Sequence, residues 1–356
     1  MFEFVPFTCL SSRCMATMKD VASHSGVSVA TVSAVIHDAD WVSESTRTRV
    51  QRAIEATNYR PNHVARSLKT RRGYAIGAIV SDLTNPFFTE VVRSLSHALR
   101  QHDRSLFLCD SDHQFDLGAA NLRMLQNKQV DGLIVIGDTV RPHLLEMFLE
   151  EAPDVPVIAI ERAYDLDGVS CLLVDSEEGG YRATRHLIEA GGERVAMING
   201  PKEGAGSTTY GRAKRYEGYC RALSEAGLPF DAALVQQGTF RYESGKTAMQ
   251  RLLTLSPPPD AVFAANDMMA LGALEAARMA GLDLPHDLML VGYDDIPLAG
   301  LTSPGLTTMA MPKKTLGKTA ASLLHDQIES GRPAATHHQM YDASLVVRGS
   351  TRTPSP

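Results

Sequence analysis

The chain has 356 residues, 44% hydrophobic and 21% charged, with a net charge of −6, an ordinary globular composition long enough for two or three domains. No apolar run reaches the ~18 residues that cross a bilayer, and the scattered Cys9, Cys14, Cys109, Cys171 and Cys220 offer neither a disulfide framework nor zinc-ligand spacing. The charge is uneven: residues 15–73 hold nine Lys and Arg against five Asp and Glu, about +4, residues 1–14 balance Arg13 against Glu3, and the remainder carries about −10, so a small basic head suited to a polyanion precedes a large acidic body.

Residues 1–14, "MFEFVPFTCLSSRC", lack the basic n-region and apolar core of a secretory signal. They are expected to be a disordered extension or to stem from a start codon placed ahead of Met15. In residues 15–60, Val21 and Ala22 lead to Gly26, which can take the left-handed conformation that ends a helix. Ser28 then caps a second helix in which Val32, Val35 and Ile36 share one face. The spacing meets the steric needs of a helix-turn-helix, and equally those of a plain helical hairpin. In the former, the outward residues Val29, Ala30, Thr31, Ser33, Ala34 and His37 face the major groove. A third helix follows, with Ser43 as cap, Val50, Ala53 and Ile54 inward, and Asn58 as stop.

Residues 61–73 open on Pro61 and hold Asn62, Val64, Ala65 and Leu68 on a short helical pattern with Arg66, Lys69, Arg71 and Arg72 beside them. Such a helix is too short to stand alone in water. It is either a solvated linker or a hinge helix that folds on DNA with Leu68 as a wedge between base steps.

"MKDVASHSGVSVATVSAVI" and "VSESTRTRVQRAIEATNYRPNHVARSLK" together resemble the head of the lactose, galactose and purine repressor (LacI/GalR) family of transcriptional regulators. The resemblance implies a three-helix DNA reader with a hinge helix. On it, Thr31, Ser33 and Asn62 contact the DNA backbone, Arg66 and Leu68 enter the minor groove, and Ser28, Val29, Ala30, Ala34, His37 and Ala65 complete the DNA-binding set. Val29, Ala30 and Ala34 are apolar where many members carry longer polar residues, so the operator sequence is not inferred.

From residue 74 the pattern changes. Apolar runs of strand length, "YAIGAIV", "SLFLCD", "DGLIVIG", "VPVIAIE" and "CLLVD", alternate with helical stretches, and the series restarts after Asp175 with "RVAMING", "AALVQQG", "AVFAAN" and "LMLVGYD". The fold class expected is α/β, with residues 74–350 forming two lobes, each an open doubly wound parallel sheet. Ligands of such sheets sit beyond the carboxyl ends of the strands, where Ser81 and Asp82, Asp138, Arg162, Asn266 and Asp267, and Asp294 and Asp295 follow the runs.

"SDLTNPFF", "RYEGY", "ANDMMALGAL", "VGYDDIPLA" and "LTTM" extend the family resemblance through the body, which is similar to periplasmic sugar-binding proteins. Carried over by motif, the effector candidates are Ser81, Asp82, Phe88, Arg215, Phe240, Asn266 and Asp294. Phe88 and Phe240 suit a ring sandwich, Arg215 a planar polar fork, and Asn266 and Asp294 hydroxyls. Asn266 and Asp267 equally suit capping of the helix they precede. Met268, Met269 and Met279 read as core or lobe-interface filler, and His337 and His338 as surface.

The pattern carries no phosphate-binding loop, HExxH or nucleophile elbow, so neither an enzyme nor a cofactor or metal dependence is expected. The reading is a cytoplasmic, sequence-specific DNA-binding regulator, a repressor whose operator affinity is switched by a sugar, sugar acid or nucleobase-like effector. The alternative is a secreted or periplasmic solute-binding protein. A half-site reader needs a two-fold mate, so a homodimer on double-stranded operator DNA is expected. Its contacts are sought among Val91, Leu95, Ala98 and Leu99 and in the segment Leu298 to Leu306. The tail 351–356, "TRTPSP", has two prolines and no heptad to pair dimers further.

Overall fold

The computed structural model describes residues 16–36, 39–59, 74–201, 210–331 and 336–353, with backbone alone at Tyr210 and Arg212. His37 and the hinge residues Asn62, Ala65, Arg66 and Leu68 lie outside the described residues, as does the extension 1–14. The chain divides into a unit of residues 1–71 and one of residues 72–356.

In the head, helices α1 (Met18–Ser25), α2 (Val29–Ile36) and α3 (Glu44–Thr57) enclose a small core of Val21, Ala22, Val32, Val35, Val50, Ala53 and Tyr59. Thr17 opens α1 by donating its N–H and its hydroxyl to Asp20 Oδ2 at 2.7 and 2.8 Å. Gly26 ends it at φ +64°, the left-handed geometry that a Cβ would disfavour. The Ser28 hydroxyl accepts from Thr31 N at 3.1 Å and starts α2. Asn58 closes α3 at φ +49°. Ser43 sits at the expected cap position, but its hydroxyl meets Thr46 Oγ1 at 2.9 Å and caps no backbone N–H.

The body holds two six-stranded sheets. The first half of the chain builds lobe 1 from β1 (Ala75–Val80), α4 (Pro86–Arg100), β2 (Ser105–Asp110), α5 (Phe115–Asn127), β3 (Gly132–Ile136), α6 (Pro142–Glu151), β4 (Val157–Ile160) and β5 (Val169–Val174). Lobe 2 follows with α7 (Ser176–Glu189), β6 (Val195–Asn199), α8 (Tyr210–Glu225), β7 (Val235–Gln237), α9 (Tyr242–Leu253), β8 (Ala261–Ala264), α10 (Asp267–Met279), β9 (Met289–Asp294) and β10 (Thr307–Ala310). The chain then returns: α11 (Lys313–Ser330) packs on α4 and β11 (His338–Tyr341) pairs parallel with β5 in lobe 1, before β12 (Ser344–Val346) pairs antiparallel with β10 in lobe 2. The strand orders are β11-β5-β4-β3-β1-β2 and β12-β10-β9-β8-β6-β7.

Continuous apolar strands are buried on both faces, as in β1, β3, β4, β5, β6 and β8. Strand β2 departs from this: it is an edge strand that leaves Phe107 and Leu108 exposed. The dimer surface sought on α4 is also corrected. Val91, Leu95 and Leu99 are fully buried in the lobe 1 core and Ala98 is half-buried. The α4 face is spent on its own sheet and on α11, which approaches so closely that a Cβ on Gly317 would lie 2.6 Å from Val91 O. The segment Leu298 to Leu306 divides, with Leu298 and Leu301 exposed and Leu306 buried.

Candidate functional site

The carboxyl ends of the two sheets face each other, and the loops that leave them line a cavity with about 610 Å³ of empty space, part of it open to solvent. Six of the seven effector candidates, Ser81, Phe88, Arg215, Phe240, Asn266 and Asp294, line it. Asp82 is buried but turned aside. Its carboxylate accepts from Thr84 N at 2.7 Å and faces His113 Nε2 at 3.6 Å and Arg241 Nε at 3.8 Å.

Each lobe supplies one half of the wall. From lobe 1, Ser81 directly follows β1 and donates to Ile136 O at 3.3 Å, and Phe88 stands on the first turn of α4, edge-on to Phe87 at 5.1 Å. From lobe 2, Phe240 follows β7 at φ +62° and stacks on His113 of lobe 1, centroids 6.3 Å apart. Asn266 lines the cavity and caps a helix. Its Oδ1 caps α10 by accepting from Met269 N at 2.9 Å, and its Nδ2 donates to Phe240 O at 2.9 Å, holding that ring at the cavity. Asp267, the other capping candidate, lies fully buried behind it, accepting from Thr308 Oγ1 at 2.6 Å and Ile296 N at 2.8 Å.

Arg215 is the polar centre. Its Nη1 donates to Ala265 O at 2.9 Å, its guanidinium lies 4.2 Å over the Tyr293 ring, and its Nη2 is 4.0 Å from Glu161 Oε2 of lobe 1. Burial pushes Glu161 and Asp294 up to about 7, against the pull of Arg215 on both. Asp138 also lines the cavity and pairs with Arg162 at 3.0 Å.

Glu161, Asp138, His113, Asn85 and Phe87 were not picked out as effector candidates, yet all five line the cavity. A signal existed for four. Glu161 directly follows β4 and Asp138 lies two residues after β3, where the strand-end rule places ligands, and Asn85 and Phe87 lie within "SDLTNPFF". His113 had none, because it is brought in by a turn at φ +57°. Of the fillers, Met269 is core but Met279 is exposed, since it closes α10 on the outer surface. His337 and His338 are exposed as expected, with His338 opening β11.

On the head, Ser28, Val29 and Ala30 at the start of α2 are exposed, while Thr31, Ser33 and Ala34 are half-buried. Val32 and Val35 anchor the opposite face. Ala34 leans on the head core, so the outward face is narrower than the sequence pattern suggests.

Residues 17–62 match the family model of bacterial regulatory proteins, lacI family, and residues 74–344 that of periplasmic binding proteins and sugar binding domain of LacI family. The chain belongs to the lacI family. This repressor is similar to the HTH-type transcriptional repressor PurR of Photorhabdus laumondii subsp. laumondii, 38% identical over 340 residues, 94% of this chain and 98% of that one. Among solved structures it resembles the transcriptional regulator CelR–cellobiose complex at 33% identity and TM-score 0.69, covering 94% of this chain and 99% of that one. It also resembles the lac repressor dimer bound to operator and the anti-inducer ONPF, at 26% identity and TM-score 0.81, covering 95% and 100%. The helix-turn-helix match removes the alternative of a solute-binding protein. The chain is a DNA-binding transcriptional repressor that responds to a small-molecule effector.

Proposed function

We propose that the repressor is a cytoplasmic homodimer that reads operator DNA with the exposed start of α2 and the hinge residues 61–73, and that its effector is a neutral, hydroxyl-rich ring, a sugar. The observation that carries the effector half is the setting of Arg215. A carboxylate ligand seeking that guanidinium meets Glu161, Asp294 and Asp138 on the same wall. A neutral ring meets complementary groups instead: Phe88 and Phe240 for its apolar faces, and Arg215, Asn266 and Asp294 for its hydroxyls. The cavity binds and releases its ligand unchanged; the output is a shift in lobe arrangement and so in operator affinity.

Two apolar surfaces support the dimer. On lobe 2, Leu298 and Leu301 are 43% and 78% exposed and line a hollow with Tyr242, Leu271 and Leu274. On lobe 1, the edge strand β2 exposes Phe107 and Leu108, and α5 exposes Leu117 and Met124. Patches of this kind on a globular body mark association surfaces.

The test of the effector reading is thermal unfolding of the full chain with neutral pentoses, hexoses and disaccharides, with uronic acids, and with nucleobases. A ligand at ~100 times its dissociation constant stabilises by about 2.7 kcal/mol. Stabilisation by neutral sugars is expected. A response confined to uronic acids or to nucleobases overturns the neutral-sugar assignment.

A further inference from the structure

Lys313 does not line the cavity, yet it is buried, 8% exposed, at the first position of the 18-residue helix α11. The N-terminal end of a helix carries partial positive charge and disfavours a cation, and a buried ammonium needs partners for all three of its donors. Lys313 has three. Its Nζ donates to Asp294 O at 2.7 Å and to Asp295 O, and it pairs with Glu90 Oε2 at 3.0 Å. Glu90 is on α4 and Lys313 on α11, both in lobe 1, whereas Asp294 ends β9 of lobe 2 and Asp295 follows it. One side chain thus fastens the two lobes beside the crossover that joins β10 to α11.

The fastened turn is a strained one. Asp294 and Asp295 have φ of +113° and +52°, a conformation that costs non-glycine residues free energy and persists only where surrounding contacts impose it. The two carbonyls converge on the ammonium while the Asp294 side chain lines the cavity.

We propose that Lys313 is a positioning residue of the effector site, which holds the Asp294–Asp295 turn of lobe 2 against lobe 1 so that whatever engages the Asp294 carboxyl is felt by both lobes. The coupling half rests on the reading that Asp294 contacts the effector; the positioning half does not. Lys313 also draws the Asp294 carboxyl downward against burial, which provides a local spectroscopic readout.

The experiment compares the full-length, effector-free protein with Lys313→Met, Lys313→Arg and Glu90→Gln. Hydrogen exchange is read by mass spectrometry. The titration of Asp294 is followed by NMR of carboxyl-labelled aspartate, assigned with Asp294→Asn. In Lys313→Met, amides of residues 294–296 should exchange about tenfold faster with the strand cores β1, β3, β6 and β8 unmoved. The Asp294 midpoint should rise, and Lys313→Arg should restore most of both. Should Lys313→Met fail to fold, Glu90→Gln decides. It removes only the partly exposed ionic partner and should speed exchange in 294–296 a few-fold. Wild-type exchange there in every variant that folds, or acceleration spread evenly over the cores, overturns the positioning role. Neither readout needs an effector, so failure of the cavity assignment is a separate result.

Discussion

Glu161 and Asp294 hold their protons to about pH 7 because burial outweighs Arg215 on each. An unfolded carboxyl releases its proton near 4. The folded, unliganded body therefore binds more protons than the unfolded chain between about pH 4.5 and 7, and its stability falls as pH rises through that window. A sugar hydroxyl that donates to either group favours the ionised form, so sugar binding releases protons and affinity should rise through pH 7, by up to about tenfold per unit for one proton. Calorimetric titration at pH 6, 7 and 8 checks the direction, and Glu161→Gln should flatten the slope. Arg215→Ala and Asp294→Ala should abolish stabilisation by the sugar while operator binding without it persists. Unaltered sugar affinity in both variants places the site elsewhere.

At the scale of elements, α2 is set by a pair of residues ahead of it. Gly26 supplies the left-handed turn and the Ser28 hydroxyl the cap. Removing that cap with Ser28→Ala should cost the head about 1 kcal/mol and weaken operator binding, with melting of the body unchanged. Calorimetry of the full chain beside a gel-shift titration separates the two effects. Cap, stop and apolar face were all readable in the head because each rests on neighbours within four residues. The Ser43 hydroxyl shows the limit of that reading: its position was legible, but whether it bonds to a backbone N–H or to Thr46 depends on rotamers that sequence does not set.

For the whole molecule, phosphate contacts by a basic head predict that operator affinity falls by on the order of a thousand-fold between roughly 50 and 200 mM salt. A flat salt titration would deny the head that role. A dimer should scatter light as twice the 38.6 kDa chain. Leu301→Asp, which puts a charge on the exposed apolar surface of lobe 2, should shift it toward monomer and weaken operator binding with little change in the melting of each lobe. A tetramer in the wild type would require a surface other than the two described.

The sequence by itself determined the helices and the turn of the head, the change to α/β alternation at residue 74 and the strand ends that line the cavity, because these follow from periodicity and turn chemistry within a few residues. It did not contain the route of residues 313–346. Helix α11 and strand β11 return to lobe 1 and Ser344 to Val346 pair back in lobe 2, a choice made by distant surfaces: the α4 face that receives α11, and the free edges of β5 and β10. The burial of Val91, Leu95 and Leu99 has the same origin. So does the neighbourhood of Arg215, where Glu161 and Asp294, 133 positions apart in the chain, acquire raised proton affinities only once two lobes enclose them. An apolar face or a carboxylate states what it needs locally; which partner meets the need is settled by packing across the fold.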